Sequence, residues 1–295
     1  MATPNRTLYD ANLVKDLFSK VQGKSALAKL SGQTGIPFTG AKEFVFSMDN
    51  EVNIVAESGA HAHGGITFTP VTMTPIKFEY GARVTREFMF ASEENQISYL
   101  QNFNDGFARK LAKGLDIAAM HGFNPKTNTA SDVVSTNHFD NKVTQHVKYE
   151  QTAPDKNLND AIALVEGQEG EVNGIAMSKV FSNDMAGVKI NGAVAYPAFN
   201  FGGVPGDLNG TAVAANITVN KGPATYPDHA IVGDFQNAFK WGFGKDIEME
   251  IIEYGDPDNT SSDLKGHDQV YLRATAYIGW GILAPEYFAR VVVEA

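Results

Sequence analysis

One stretch, Ser92 to Gly122, limits the fold of this chain more than any other. In SEENQISYLQNFNDGFARKLAKGLDIAAMHG, the residues Ile97, Leu100, Phe103, Phe107, Leu111, Leu115 and Ala118 recur every three or four positions. That spacing predicts one apolar stripe along an α-helix. Ser92 stands where an N-cap would accept from a free backbone N–H. Glu93 and Glu94 occupy the first turn and Arg109, Lys110 and Lys113 the second half, as the helix dipole favours. Gly122 is placed to end the helix, and Pro125 follows. About 29 residues at roughly 1.5 Å each make a rod of about 44 Å, against a usual length of about 11–12 residues. Asn104, Asp105, Gly106 and Gly114 weaken its intrinsic propensity. Such a helix needs a long apolar platform, because packing supplies most helical stability. Taken alone, it suits the core of an enzyme as well as a structural spine.

The 295 residues suffice for one large domain or two ordinary ones. With 43% hydrophobic and 20% charged residues, wholesale disorder is excluded. The absence of cysteine excludes disulfides, cysteine metal sites and thiol nucleophiles. A formal charge of −10 argues against a tightly gripped nucleic acid, which needs clustered Lys and Arg. It is compatible with a protein that surrounds DNA without holding it. No apolar run reaches the roughly 18 residues of a membrane span. The start, MATPNRTLYDANLVKDLF, lacks a signal-peptide core, so synthesis in a cytosol and no membrane partner are expected.

Taken in order, residues 1–42 read as an arm rather than a compact unit. Leu13, Val14, Leu17, Phe18 and Val21 suit one short amphipathic helix, and KLSGQTGIPFTGAK after it needs a neighbour to order it. From residue 43 the period changes to two. Phe44, Phe46 and Met48 predict one strand, and Val52, Ile54 and Ala56 another. After the turn-rich SGAHAHGG, Ile66 and Phe68 alternate with Thr67 and Thr69; beyond Pro70 the apolar register slips to Val71 and Met73. Ile76, Phe78 and Tyr80 continue the alternation. A long hairpin with a Gly/His tip is expected, and an isolated hairpin is marginal in water. Residues 123–156 are polar and turn-like. Between 157 and 240, LNDAIALVE, GIAM, KVFSNDMAG capped by Ser178, TAVAANITV and HAIVGDF predict a compact α+β unit. Ile247, Met249 and Ile251, then Val270, Leu272, Ala274, Ala276 and Ile278, predict an antiparallel hairpin on which the long helix can lie.

Little in the chain speaks for chemistry. His61 and His63 flank Ala62 and would share one face of a strand, but no third metal ligand accompanies them. A polar tip is the reading adopted, with no metal site. Asp105, Asp116 and Glu87 would act as paired acids only if the fold joined them. There is no Walker loop and no G-x-S-x-G elbow. No enzyme, catalytic residue or cofactor is expected.

Arranged in this order, the parts resemble the major capsid proteins of tailed double-stranded-DNA bacteriophages, with the Hong Kong 97-like fold. EVNIVAESGAHAHGGITFTPVTMTPIKFEYGARVTREFM is similar to the family's projecting E-loop, with Glu57, Gly59, Phe68, Val71, Thr72 and Pro75 at the matching positions. Residues 92–122 resemble the spine helix, GIAMSKVFSNDMAGVKINGAVAYP the axial domain, and IVGDF with RATAYIGWGILAPEYFARV the closing strands. The resemblance implies an α+β fold: an N-terminal arm 1–42, an E-loop 43–80, a peripheral domain 81–155, an axial domain 156–245, and return strands 246–295. It implies a shell of hexamers and pentamers that encloses double-stranded DNA. It also implies an E-loop laid over a neighbouring subunit, with Glu57, Gly59, His61, His63 and Phe68 as interface residues, and an arm reaching another. Scaffolding, portal or decoration proteins would be further partners, and the shell would assemble in the host bacterial cytoplasm as part of the virion. Two departures matter. No lysine lies between Lys42 and Lys77, so the lysine crosslink of one family member is not implied. Only about 42 residues precede the E-loop, which leaves little room for a cleaved scaffolding extension. An encapsulin-like compartment shares this fold, and a metal-dependent hydrolase using His61 and His63 is the enzyme alternative.

Replacing His61 and His63 together by alanine is expected to leave stability and particle yield unchanged. Lost particles in the double variant, with zinc-dependent assembly of the unaltered protein, would instead assign the pair to a metal.

Overall fold

The computed structural model describes residues 19–21, 23–48, 52–59, 63–222 and 227–293. The long helix spans Glu93–His121. Its end follows the sequence: Gly122 takes φ 69° and its N–H donates to the carbonyl of Ala118. A Cβ there would lie 2.5 Å from the His138 ring, so space as well as φ requires glycine. The start differs from expectation. Ser92 makes no side-chain capping bond; it is solvent-exposed, where water can serve the first N–H groups. The end is tied instead by Gln96, whose amide donates to the carbonyls of Met89 and Ala91.

Leu100, Phe107, Leu111, Leu115 and Ala118 are all buried. Ile97 is not, at 38% exposure, because the stripe outruns its platform. That platform is a three-stranded antiparallel sheet with Gln269–Ile282 between Phe239–Ile252 and Ile76–Thr85. The expected C-terminal hairpin is therefore present, lengthened at both ends and joined by a strand from the first third of the chain. Gly114 explains itself here. A Cβ on it would come within 3.3 Å of the Phe78 ring, so the residue that weakens the helix lets it lie close to the sheet.

The projecting hairpin pairs Ala41–Met48 with Ile66–Met73 through eight unbroken positions, including Phe44 with Pro70, Phe46 with Phe68 and Met48 with Ile66. Pro70 is tolerated because each strand of a two-stranded ribbon is an edge. The expected strand over Val52–Ala56 does not form. Ala41–Met48 already occupies the returning strand, and Val52 and Ile54 stand 94% and 97% exposed. The change of apolar register at Pro70 is real but involves no bulge. Val71 and Met73 simply use the ribbon's other face, where Met73 lies against Gly281 of the three-stranded sheet.

A six-stranded sheet forms the second half, in the order Asp207–Leu208, Thr211–Ala215, Gly174–Met177, Asp228–Gly233, Phe288–Val292, His146–Lys148. Its alternation feeds two cores. Ile175, Met177, Val213, Val232 and Val291 pack with Leu158, Val165, Phe181 and Met185 from helices Pro154–Glu166 and Lys179–Gly187. Ala176, Ala214, Ile231 and Phe288 face the core beneath the long helix. Ser178 caps the second helix, accepting from the Phe181 N–H. Two segments pair here against expectation. Phe288–Val292, grouped with the return strands of 246–295, crosses over after the Pro285–Tyr287 turn, and His146–Lys148 comes from a stretch read as turns. Strand Phe239–Ile252 likewise begins inside the segment 156–245 read as axial.

The arm also departs from its reading. The expected helix over Leu13–Val21 lies largely outside the described residues. Ala26–Leu30, however, is a buried helical turn capped by Ser25, and Thr34 donates its N–H to the carbonyl of Trp241 at 2.8 Å. This part of the arm is ordered by its own subunit. Among the described residues no helix is long and apolar enough to cross a membrane.

Phe107→Ala is expected to cost about 3–5 kcal/mol, as buried phenylalanine truncations do. Lys110→Ala, exposed on the same helix, should change stability by at most about 0.5 kcal/mol. Denaturant titration of soluble subunits compares them; equal small effects would mean that the helix does not rest on this core.

Candidate assembly surface and the polar joints beneath it

Direct pairing places Phe44, Phe46, Met48, Ile66, Phe68 and Pro70 on one face of the hairpin ribbon. The first five are exposed, with Phe44, Met48 and Phe68 each above 60%. The rings of Phe46 and Phe68 meet edge to face at 5.2 Å. At the ribbon's base, Lys240 Nζ reaches Glu43 Oε2 at 2.6 Å. Of the residues picked from the sequence, Phe68 belongs to this apolar stripe. Glu57, Gly59 and His63 lie exposed in the connecting loop, and His61 is outside the described residues. Gly59 closes a tight turn, its N–H donating to the Ala56 carbonyl at 2.9 Å. A Cβ there would sit 2.8 Å from Val55. Phe44, Phe46, Met48 and Ile66 were missed as surface residues. Their signal was matched alternation on two paired strands with no helix following to cover them.

Two polar joints hold the subunit behind the ribbon. Asp116, fully buried on the long helix, accepts from Ser25 Oγ at 2.5 Å, from the N–H groups of Ala26 and Leu27 at 2.9 and 3.2 Å, and from Thr218 Oγ1 at 2.8 Å. Burial pushes this carboxyl up, while the Ser25, Ala26 and Thr218 donors pull it down; the net direction is up. The acids read as a possible pair are apart. Asp105 is eleven residues away on the same helix, about 16 Å along its axis, and is ion-paired with Lys20 at 2.6 Å. Glu87 is exposed in the turn before the helix.

The second joint lies one turn further on. His121 Nδ1 is 2.9 Å from Asp140 Oδ2 and Nε2 is 3.0 Å from the Thr218 carbonyl. Arg290 reaches Asp228 at 2.8 Å and Asp140 at 3.3 Å. Asp228 should face the outer core by simple alternation, but a bulge between Asp228 and Ala230 turns it toward Arg290. Ligand atoms of His121, Asp140 and Asp228 lie within 4.8 Å of one another. Arg290 already supplies their cation, so the group is an ion-pair cluster, not a metal centre. No sequence motif marks it, since its members are spread from 121 to 290.

Similarity to known proteins decides what such a subunit is. A model described as the phage capsid family matches residues 8–293. The chain belongs to the phage capsid family. Among solved structures it is similar to a chain of Mycobacterium phage Ogopogo, with 29% identity over 92% of each chain and a TM-score of 0.77. A Gordonia phage Cozz chain shares 21% identity, 92% and 87% coverage and a TM-score of 0.74. The capsid of an empty GTA particle shares 15% identity, 92% and 90% coverage and a TM-score of 0.65. The last two bear on the fold alone. No curated protein matches. The capsid protein has the Hong Kong 97-like α+β fold and is the structural subunit of an icosahedral head, located in the virion. Its family is structural rather than enzymatic, so the hydrolase reading is not favoured, nor is the encapsulin-like one.

Asp116→Ala leaves buried donors on Ser25, Ala26, Leu27 and Thr218 unpaired, at about 1–3 kcal/mol each. The capsid subunit should then release its arm, read as new proteolytic cleavage near Ser25–Leu30. Unchanged cleavage and stability would show that the carboxylate is not the joint.

Proposed function

We propose that the capsid subunit assembles by laying the apolar stripe of its hairpin on a neighbouring copy. The exposed row Phe44, Phe46, Met48, Ile66 and Phe68 carries this reading. A two-stranded ribbon with so much bare apolar surface is marginal alone and prone to pair with other chains. Covering it with a neighbour removes that surface from water at about 25 cal/mol per Å². The stripe, more than Glu57, Gly59, His61 or His63, then supplies the contact energy, and the loop carrying those residues shapes its tip.

On this reading the axial sheet unit gathers copies into hexamers and pentamers. The similar GTA capsid was computed with C5 symmetry, which supports the same organisation here. The shell encloses double-stranded DNA with an overall acidic protein that does not bind it by sequence. Assembly would take place in the host bacterial cytoplasm, with scaffolding, portal or decoration proteins as partners. The division of the chain into arm, hairpin, peripheral and axial units is kept, with Phe288–Val292 and His146–Lys148 counted in the axial unit because of their pairing.

Phe46→Asp combined with Phe68→Asp is expected to leave circular dichroism and subunit stability near normal and to abolish shells in sedimentation and electron microscopy. Normal shells from this variant would overturn the role of the stripe. Unfolding of the variant would show that the ribbon packs within its own subunit.

A further inference from the structure

We propose that His121, Asp140, Asp228 and Arg290 form a proton-dependent latch between the C-terminal end of the long helix and the six-stranded sheet, closed at neutral pH and released in alkali. The geometry carries it. His121 is buried, and both ring nitrogens face groups that can only accept: the Asp140 carboxylate at 2.9 Å and the Thr218 carbonyl at 3.0 Å. Both bonds exist together only if both nitrogens carry hydrogen, so the closed latch contains an imidazolium. Each member comes from a different segment. His121 ends the long helix, Thr218 lies in the loop after strand Thr211–Ala215, Asp140 is in the short helix Phe139–Lys142, and Asp228 and Arg290 are on adjacent strands. Arg290 also donates to the carbonyl of Asp140 at 3.1 Å, closing the ring of contacts.

With His121 and Arg290 charged and both Asp140 and Asp228 ionised, the buried group is neutral. Loss of one proton leaves a net negative charge out of water and turns a bare nitrogen toward the Thr218 carbonyl. Both effects oppose the closed state. The remaining titratable neighbour is His138, half-buried beside Gly122, whose Nδ1 has no partner. Burial holds it below the usual imidazole range, so it adds no competing charge. An open cleft of about 530 Å³, lined by His121, His138, Asp140, Ser131 and Thr136 among others, gives solvent a route to the group.

His121 and Asp228 both lose stability as pH rises. Burial alone would lower His121, but the Asp140 carboxylate outweighs it and the imidazole is raised. Its contribution is full below the ordinary value of about 6.5 and is lost as pH rises through the higher folded value. Burial and the charge of Asp140 hold Asp228 up at about 7, so it too releases its proton at a cost to the folded state as pH rises. Asp140 and Asp228 share the site as a carboxyl pair, so their protons are released in two joint steps. Asp140 is held low, chiefly by His121 against its own burial, and its contribution is lost only in acid.

Hydrogen exchange with mass spectrometry on the expressed capsid protein, corrected for the intrinsic pH dependence of exchange, tests the latch at pH 7 and pH 9.5. Peptides over 115–122, 216–222 and 228–233 are expected to lose about tenfold protection at the higher pH, as a local opening of the latch would give. The helix 154–166 should not change. His121→Gln, which cannot titrate, should lose most of this pH response. Equal protection of the wild-type peptides at pH 7 and 9.5 overturns the latch, whether or not the variant folds. So does a His121→Gln variant that keeps the full wild-type response. The measurement reads the subunit, so its failure is separate from any failure of the hairpin stripe to support shells.

Discussion

The subunit depends on burying a 29-residue helix from more than one side. Its sequence places Asn104, Asp105, Gly106 and Gly114 in mid-course, so it has little intrinsic reason to persist as a rod. The three-stranded sheet covers the Phe107–Leu111–Leu115 stripe. Further along, the helix also needs polar contacts. Asp116 gathers the arm at Ser25–Leu27 and the loop at Thr218, and His121 gathers Asp140 and the same loop. Thr218 serves both, its hydroxyl on Asp116 and its carbonyl on His121. One short loop thus ties down the last two turns of the helix.

The parts legible in sequence were those whose information is local. The long helix came within a residue of its ends because seven apolar positions and a terminal glycine agree. The strands around 247–251 and 270–278 followed from period-two alternation, and GIAM with the Ser178 cap from a strand–turn–helix pattern. What failed was pairing. Val52–Ala56 alternates as well as Phe44–Met48 does, yet only one of them finds a partner, and nothing local says which. Phe288–Val292 reads as a strand in either sheet; the turn at Pro285 decides. Ala26–Leu30 was hidden because a five-residue helix has no periodicity, and a carboxylate about ninety residues away stabilises its start. The ion-pair cluster was unreadable for the same reason: a bulge, visible only in the pairing, aims Asp228 at Arg290. The projecting hairpin is legible as an object; of its exposed apolar row only Phe68 is legible as an interface candidate beside the tip residues. The alternation that predicts a strand also says which side is apolar, but not whether anything in the same chain covers it.

The two kinds of contact have opposite physical character, and their placement fits a subunit that must be one shape before it meets a copy of itself. The outward stripe of Phe44, Phe46, Met48, Ile66 and Phe68 is non-directional: apolar burial tolerates small changes of angle. The inward joints at Asp116 and His121 are directional. A buried carboxylate that takes five donors at once, from Ser25, Ala26, Leu27, Asn216 and Thr218, is tightly constrained in its arrangement, and each lost donor leaves a polar group unpaired. Apolar residues of similar volume would stabilise such sites as well or better. What polar groups add is geometric definition where helix, arm and axial sheet converge. On the proposed reading, the apolar stripe between subunits can adapt, while the directional bonds at Asp116 and His121 hold helix, arm and axial sheet together within each subunit.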